Sequence, residues 1–83
     1  MRVLFFASVR ERLGCHELHV PNPGGAMTTD SLLDVLMIRG GESWRDVLTQ
    51  PNLICAVNQS VVHDATRLSD DDEIAFFPPV TGG

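Results

Sequence analysis

The chain ends in FFPPVTGG, residues 76–83, and its last pair, Gly82-Gly83, is where residue type and position together suggest chemistry. Glycine has no Cβ, so a Gly-Gly end can thread a narrow channel in backbone conformations closed to other residues and present a carboxylate with no side chain in the way. A carboxylate is a poor electrophile, because its charge repels nucleophiles and its oxygens leave badly. Reaction with ATP would convert it to an acyl-adenylate with a good leaving group, after which a sulfur donor could leave a thiocarboxylate on Gly83. Sulfur is softer and more nucleophilic than oxygen. Other fates of an activated glycine exist, and an inert frayed end is the plain alternative.

The neck before the glycines matters as much. Pro78 and Pro79 favour an extended path, and residues 78–83 at about 3.3 Å each reach up to roughly 20 Å. A probe of that shape suits insertion into a partner's active site. The rest of the chain offers no self-sufficient one. His16, His19 and His63 lack metal-binding spacing, and His16 and His19 face opposite ways on one expected strand. No serine sits in a GxSxG context, neither cysteine has a Cys/His arrangement, and PGGAMTT lacks the GK[ST] of a phosphate loop. No metal site and no cofactor held by this chain are expected.

Eighty-three residues make one domain, 1–83, with 78–83 as a protruding tail. Six arginines, no lysine and eleven acids leave a net charge of −5, which argues against nucleic acid or an anionic membrane as partner. A basic protein partner fits better. The run Asp70-Asp71-Asp72-Glu73 reads as a solvated turn. The apolar stretch near the N-terminus is too short for a signal peptide or a membrane span, so a cytoplasmic protein is expected. There Cys15 and Cys55 stay thiols, Cys55 as a small buried hydrophobe and Cys15 in a turn.

The elements that must carry the tail follow from periodicity and breakers. Residues 2–7 read as a strand, and residues 8–14 as a short helical turn or loop with Ser8 as its cap and Gly14 as its stop. Residues 16–20 alternate as a second strand, antiparallel to the first. After the breakers of 21–29, Leu32, Leu33 and Leu36 mark the main helix, capped by Thr29 or Asp30 and closed by Gly40 and Gly41. Residues 43–52 add a helical stretch with Trp44, Val47 and Leu48 at helical spacing, Trp44 being a packing anchor. Residues 53–58 form an inner strand, Asn58-Gln59-Ser60 a turn into VVH, and residues 73–78 the last strand. The core order ββαββ, with the last strand in the middle and parallel to the first, gives an α+β domain whose sheet grips one helix and releases the tail at one edge.

Alternation places Val3 and Phe5 on one face of the first strand and Leu4 and Phe6 on the other, and likewise sets Ile74 and Phe76 against Ala75 and Phe77. Only one face can cover the helix. The other then carries an apolar cluster of the kind that marks a protein contact, unless loops or the Trp44 helix cover it, and Phe77 is the candidate for that outer face.

Three segments, VLFFASVRERLG at Val3–Gly14, AVNQSVV at Ala56–Val62 and LSDDDEIAFFPPVTGG at Leu68–Gly83, closely resemble the family of small, sulfur-carrying subunits of molybdopterin synthase. The resemblance covers roughly half the chain and implies a ubiquitin-like β-grasp fold, a mixed sheet of four or five strands around one main helix with a flexible tail. It implies that Gly83 is adenylated by a ubiquitin-activating-like enzyme using ATP and magnesium, then thiocarboxylated. The tail then donates sulfur to cyclic pyranopterin monophosphate inside the large subunit, two small subunits flanking a dimer of large ones. The large subunit is implied to supply the catalytic lysine and substrate pocket.

By position, Phe6, Val61 and Phe77 match that family's apolar docking surface, Arg10 a basic position beside it, and Pro79, Val80, Thr81, Gly82 and Gly83 the inserting tail. Most members carry DGDE where this chain has DDDE, so Asp71 is expected to hold a strained left-handed turn. Residues 24–50 match poorly. Carriers for thiamine or tRNA thiolation, a ubiquitin-like modifier, and an interaction domain with an inert tail are the rival readings.

Overall fold

A computed structural model describes residues 1–79. Its elements run β1 (Arg2–Phe5), α1 (Ala7–Leu13), β2 (Glu17–His19), α2 (Thr29–Gly40), α3 (Glu42–Leu48), β3 (Ile54–Val57), β4 (Ser60–Val62) and β5 (Glu73–Phe77). The strands form one mixed sheet in the order β2-β1-β5-β3-β4. The first and last strands lie side by side and parallel, Arg2 opposite Glu73 through Phe5 opposite Phe76, while β2, β3 and β4 pair antiparallel to their neighbours. The tail therefore leaves from the end of the central strand, not from a lateral edge.

Strand alternation decides the core. Val3, Phe5, Ile74 and Phe76 are buried and face the helices, where Val9 and Leu13 of α1, Leu32 and Leu36 of α2, and Val47 and Leu48 of α3 close over them. Phe5 stacks on Phe76 at 6.1 Å between centroids, and Trp44 meets Phe5 edge-on at 5.6 Å. Trp44 is thus the expected anchor, on the helical side, and leaves the opposite face of the sheet uncovered.

Three details differ from the sequence reading. Residues 7–13 form a two-turn helix because Val9 and Leu13, four apart, both bury. Its N-cap position is Phe6, without a side-chain cap, so Ser8 is inside the helix; Gly14 ends it in the left-handed region at φ 67°. The cap of α2 is Thr28, not Thr29 or Asp30. Its hydroxyl accepts the Ser31 N–H while the Ser31 hydroxyl accepts the Thr28 N–H, and Thr29 instead accepts the Thr66 N–H.

The third difference concerns the acidic turn, which needs no left-handed residue at Asp71: among the described residues the positive-φ positions outside glycine are Ala7, Asn58 and Gln59. The turn closes with the Asp72 N–H on the Ser69 carbonyl at 3.1 Å and the Ser69 N–H on Asp72 Oδ2 at 2.7 Å. An ordinary turn of that kind has no place where glycine is required.

Candidate functional site

The site is built where β5 ends. One step beyond the last paired residues, Phe6 donates its N–H to the Phe76 carbonyl at 3.1 Å, which sets Phe6 alongside Phe77. On the other side Phe77 pairs with Ile54, and the next row back runs Leu4, Ala75, Ala56 and Val61 across four strands. All of these share the parity opposite to the core, so they form one apolar face. Phe6 is 45% and Val61 51% exposed, while Leu4, Ile54, Ala75 and Phe77 are half-buried. A groove of about 490 Å³, lined by Pro51, Leu53, Ile54, Val61, Val62, His63 and Phe77, runs down one side.

The three residues expected to dock thus fall on one face, beside the half-buried Pro78 and Pro79 that begin the neck. Arg10 is exposed on α1, which starts directly after Phe6 and packs beside β5. It makes no ion pair among the described residues. Val80, Thr81, Gly82 and Gly83 lie outside the described residues.

At its other end the same face is polar. Arg2 on β1 reaches Glu17 on β2, Nη2 to Oε1 at 3.0 Å, and Glu73 on β5, Nη1 to Oε2 at 3.2 Å. Sequence reasoning missed this clamp, because the partners 15 and 71 residues away are fixed only by strand register. The acidic run is also less free than a solvated turn. Asp70 Oδ1 accepts the Asn22 N–H at 2.8 Å, and Asp72 Oδ1 accepts Asn58 Nδ2 at 2.9 Å while Oδ2 takes Ser69. The Ser69 N–H first, and then Asn58, hold the Asp72 carboxyl below the usual carboxylate range.

Neither cysteine adds chemistry. Both are free, and burial against the core pushes the Cys55 thiol up to about 11, which keeps it protonated. Cys55 lines a cavity of about 160 Å³ with Asp30, Leu33, His63, Asp64 and Phe76. Among the described residues no three His, Cys, Asp or Glu side chains are grouped to hold a metal ion, and no helix is long and apolar enough to cross a membrane.

Residues 3–83 match the profile of the ThiS family. The chain belongs to the ThiS family. A family relative from Escherichia coli (strain K12), the molybdopterin synthase sulfur carrier subunit, is 41% identical over 83 residues, covering all of this chain and 99% of that one. The crystal structure of the Haloferax volcanii small archaeal modifier protein 1 superposes with a TM-score of 0.73 at 25% identity, covering 96% of this chain and 97% of that one. Subunit 1 or 2 in the complex of the two subunits of molybdopterin-converting factor from Helicobacter pylori 26695 gives a TM-score of 0.68 at 23% identity, covering 99% and 96%. This last likeness is one of fold. The ThiS-family chain has the ubiquitin-like β-grasp architecture that the resemblance implied, with five strands among the described residues and, besides the main helix α2, the short α3 where a further helical stretch was expected and α1 where a helical turn or loop was.

Proposed function

We propose that this chain is the sulfur-carrier subunit of a molybdopterin synthase. A ubiquitin-activating-like enzyme adenylates Gly83 with ATP and magnesium, releasing pyrophosphate; a sulfur donor then displaces AMP and leaves the thiocarboxylate. Delivered into the large subunit, the tail gives its sulfur to cyclic pyranopterin monophosphate and returns as a carboxylate ready for another round. Two transfers build the dithiolene. The carrier performs no catalysis and holds no cofactor; the large subunit supplies the pocket and the lysine, two carriers flanking a large-subunit dimer. The setting is the cytoplasm, where Cys15 and Cys55 remain thiols.

The observation that carries this reading is the apolar face of Phe6, Val61 and Phe77, placed where β5 hands over to the neck. An exposed apolar cluster on a domain this small calls for a partner, and here the same partner would receive the tail. The likeness to a relative that is itself a sulfur carrier, along the full chain, supports the chemistry. A modifier role is the second reading, favoured by the fold shared with the archaeal modifier protein.

Mass spectrometry of the chain co-expressed with its activating enzyme separates the two. The carrier gains the mass of one oxygen-to-sulfur exchange at Gly83, and deleting Gly83 abolishes sulfur donation while the melting midpoint stays put. An isopeptide adduct on lysines of other proteins, with no thiocarboxylate, would overturn the carrier reading.

A further inference from the structure

Ala7 has φ 53°, on the side of backbone space that residues with a Cβ seldom occupy. Among the described residues two other non-glycine positions share that feature, Asn58 at 50° and Gln59 at 70°, and both are explained by the two-residue hairpin between β3 and β4, whose turn requires such angles. No hairpin accounts for Ala7. It is the first residue of α1 and directly follows an extended Phe6 (φ −126°, ψ 155°), so the connection from strand to helix turns at this one residue.

The two ends of that connection are fixed. The Phe6 N–H makes the final rung to Phe76, and the Phe6 carbonyl accepts the Arg10 N–H at 3.3 Å as the first bond of α1. Swinging the chain from strand to helix within one residue leaves Phe6 on the open face beside Phe77 and brings Arg10 round one helical turn later. A backbone held in a sparsely populated conformation persists only where its surroundings over-determine it, and such positions gather at sites where geometry matters. Glycine would adopt the same angle without strain, but it would also allow others.

We propose that Ala7 is a positioning residue for docking: its left-handed backbone fixes the direction of Phe6, and with it Arg10, at the root of the tail. The proposal rests on the reading that the Phe6–Phe77 face receives the large subunit. It predicts that backbone freedom at residue 7 harms association without harming the fold, because the bound geometry is no longer prepared in advance.

The test compares the full chain with three variants, Ala7→Gly, Ala7→Asn and Phe77→Ser, for thermal midpoint and for affinity to the purified large subunit of the same organism. Ala7→Gly is expected to melt at or above the wild-type midpoint yet bind about three- to tenfold more weakly. Ala7→Asn, which keeps a Cβ and tolerates the left-handed region, restores most of the affinity. If Phe77→Ser binds poorly while Ala7→Gly binds like wild type, or if Ala7→Gly loses midpoint and affinity together, Ala7 has no positioning role although the docking face stands. If Phe77→Ser binds like wild type, the docking face itself is wrong, and this proposal falls with it.

Discussion

Phe76 and Phe77 are neighbours on one strand, of one residue type, with opposite fates. Phe76 is fully buried and stacks on Phe5 beneath the helices, whereas Phe77 looks the other way, lines the groove with Ile54 and Val61, and sits next to the neck. On the helical side the large apolar groups that face the sheet are packed within the chain, and Ile38 points away, exposed on the outer side of α2. On the open side the ion-paired Arg2 end is satisfied from within, and the end nearest the tail is left apolar. The contrast teaches that the sheet separates two faces: one stabilises the domain, and part of the other is left apolar and, on the proposed reading, serves association.

The sharpest way to break this division is through the pair itself. Phe76→Ala is expected to cost about 3–5 kcal/mol, which lowers the thermal midpoint by more than about 10 °C in a domain of this size. Phe77→Ser should behave in the reverse manner, weakening binding to the large subunit by at least about 30-fold while moving the midpoint far less. Equal losses of stability at the two positions would erase the distinction between the faces.

A second pair of outcomes sharpens it. A Cβ on Gly40 would sit 2.0 Å from Cγ and 2.1 Å from Cδ2 of Trp44, so Gly40→Ala must push the indole off Phe5. The expected cost is about 1–3 kcal/mol, read in melts and in the fluorescence of the single tryptophan, with docking unchanged because the disturbance lies beneath the sheet. The smallest effect comes from Asp72. Its carboxyl is held below the ordinary value of 3.8, so it binds fewer protons folded than unfolded, and its contribution is complete above that value and disappears as pH falls through the lower folded one. Asp72→Asn should therefore be slightly less stable than wild type at neutral pH and should converge with it in acid titrations followed by circular dichroism.

What the sequence made legible was the local and the periodic. The alternation that sets Phe6 against Phe5 and Phe77 against Phe76 follows from counting along a strand, although which set faces the helices does not; the buried Leu32 and Leu36 follow from helical spacing, and the stop at Gly14 from glycine's access to positive φ. The relation of neck to face was legible too, because Pro78 directly follows Phe77 in the chain. Long-range partners were not. Asn22, within the breaker cluster, gives its side chain to the Leu68 carbonyl and accepts the Met27 N–H, so the loop after β2 is pinned by contacts 46 residues away that no local pattern announces. The cap at Thr28 was hidden because its third residue is Ser31, not the Glu or Gln of the familiar capping signature. Gly40 and Gly41 do close α2, as their type suggests, but that the missing side chain of Gly40 also makes room for Trp44 was not legible.

Pairing the first strand with the last has a consequence for how the protein is made. While the ribosome is still adding residues 73–77, β1 has no central neighbour, and neither the stacked Phe5–Phe76 core nor the Phe6–Phe77 surface can exist. Such distant closure is slow relative to local contacts, but it also means that a polypeptide terminated before residue 77 never forms that apolar surface. A partner that reads that surface would thereby meet only chains whose last strand is in place, a form of quality control written into strand order alone.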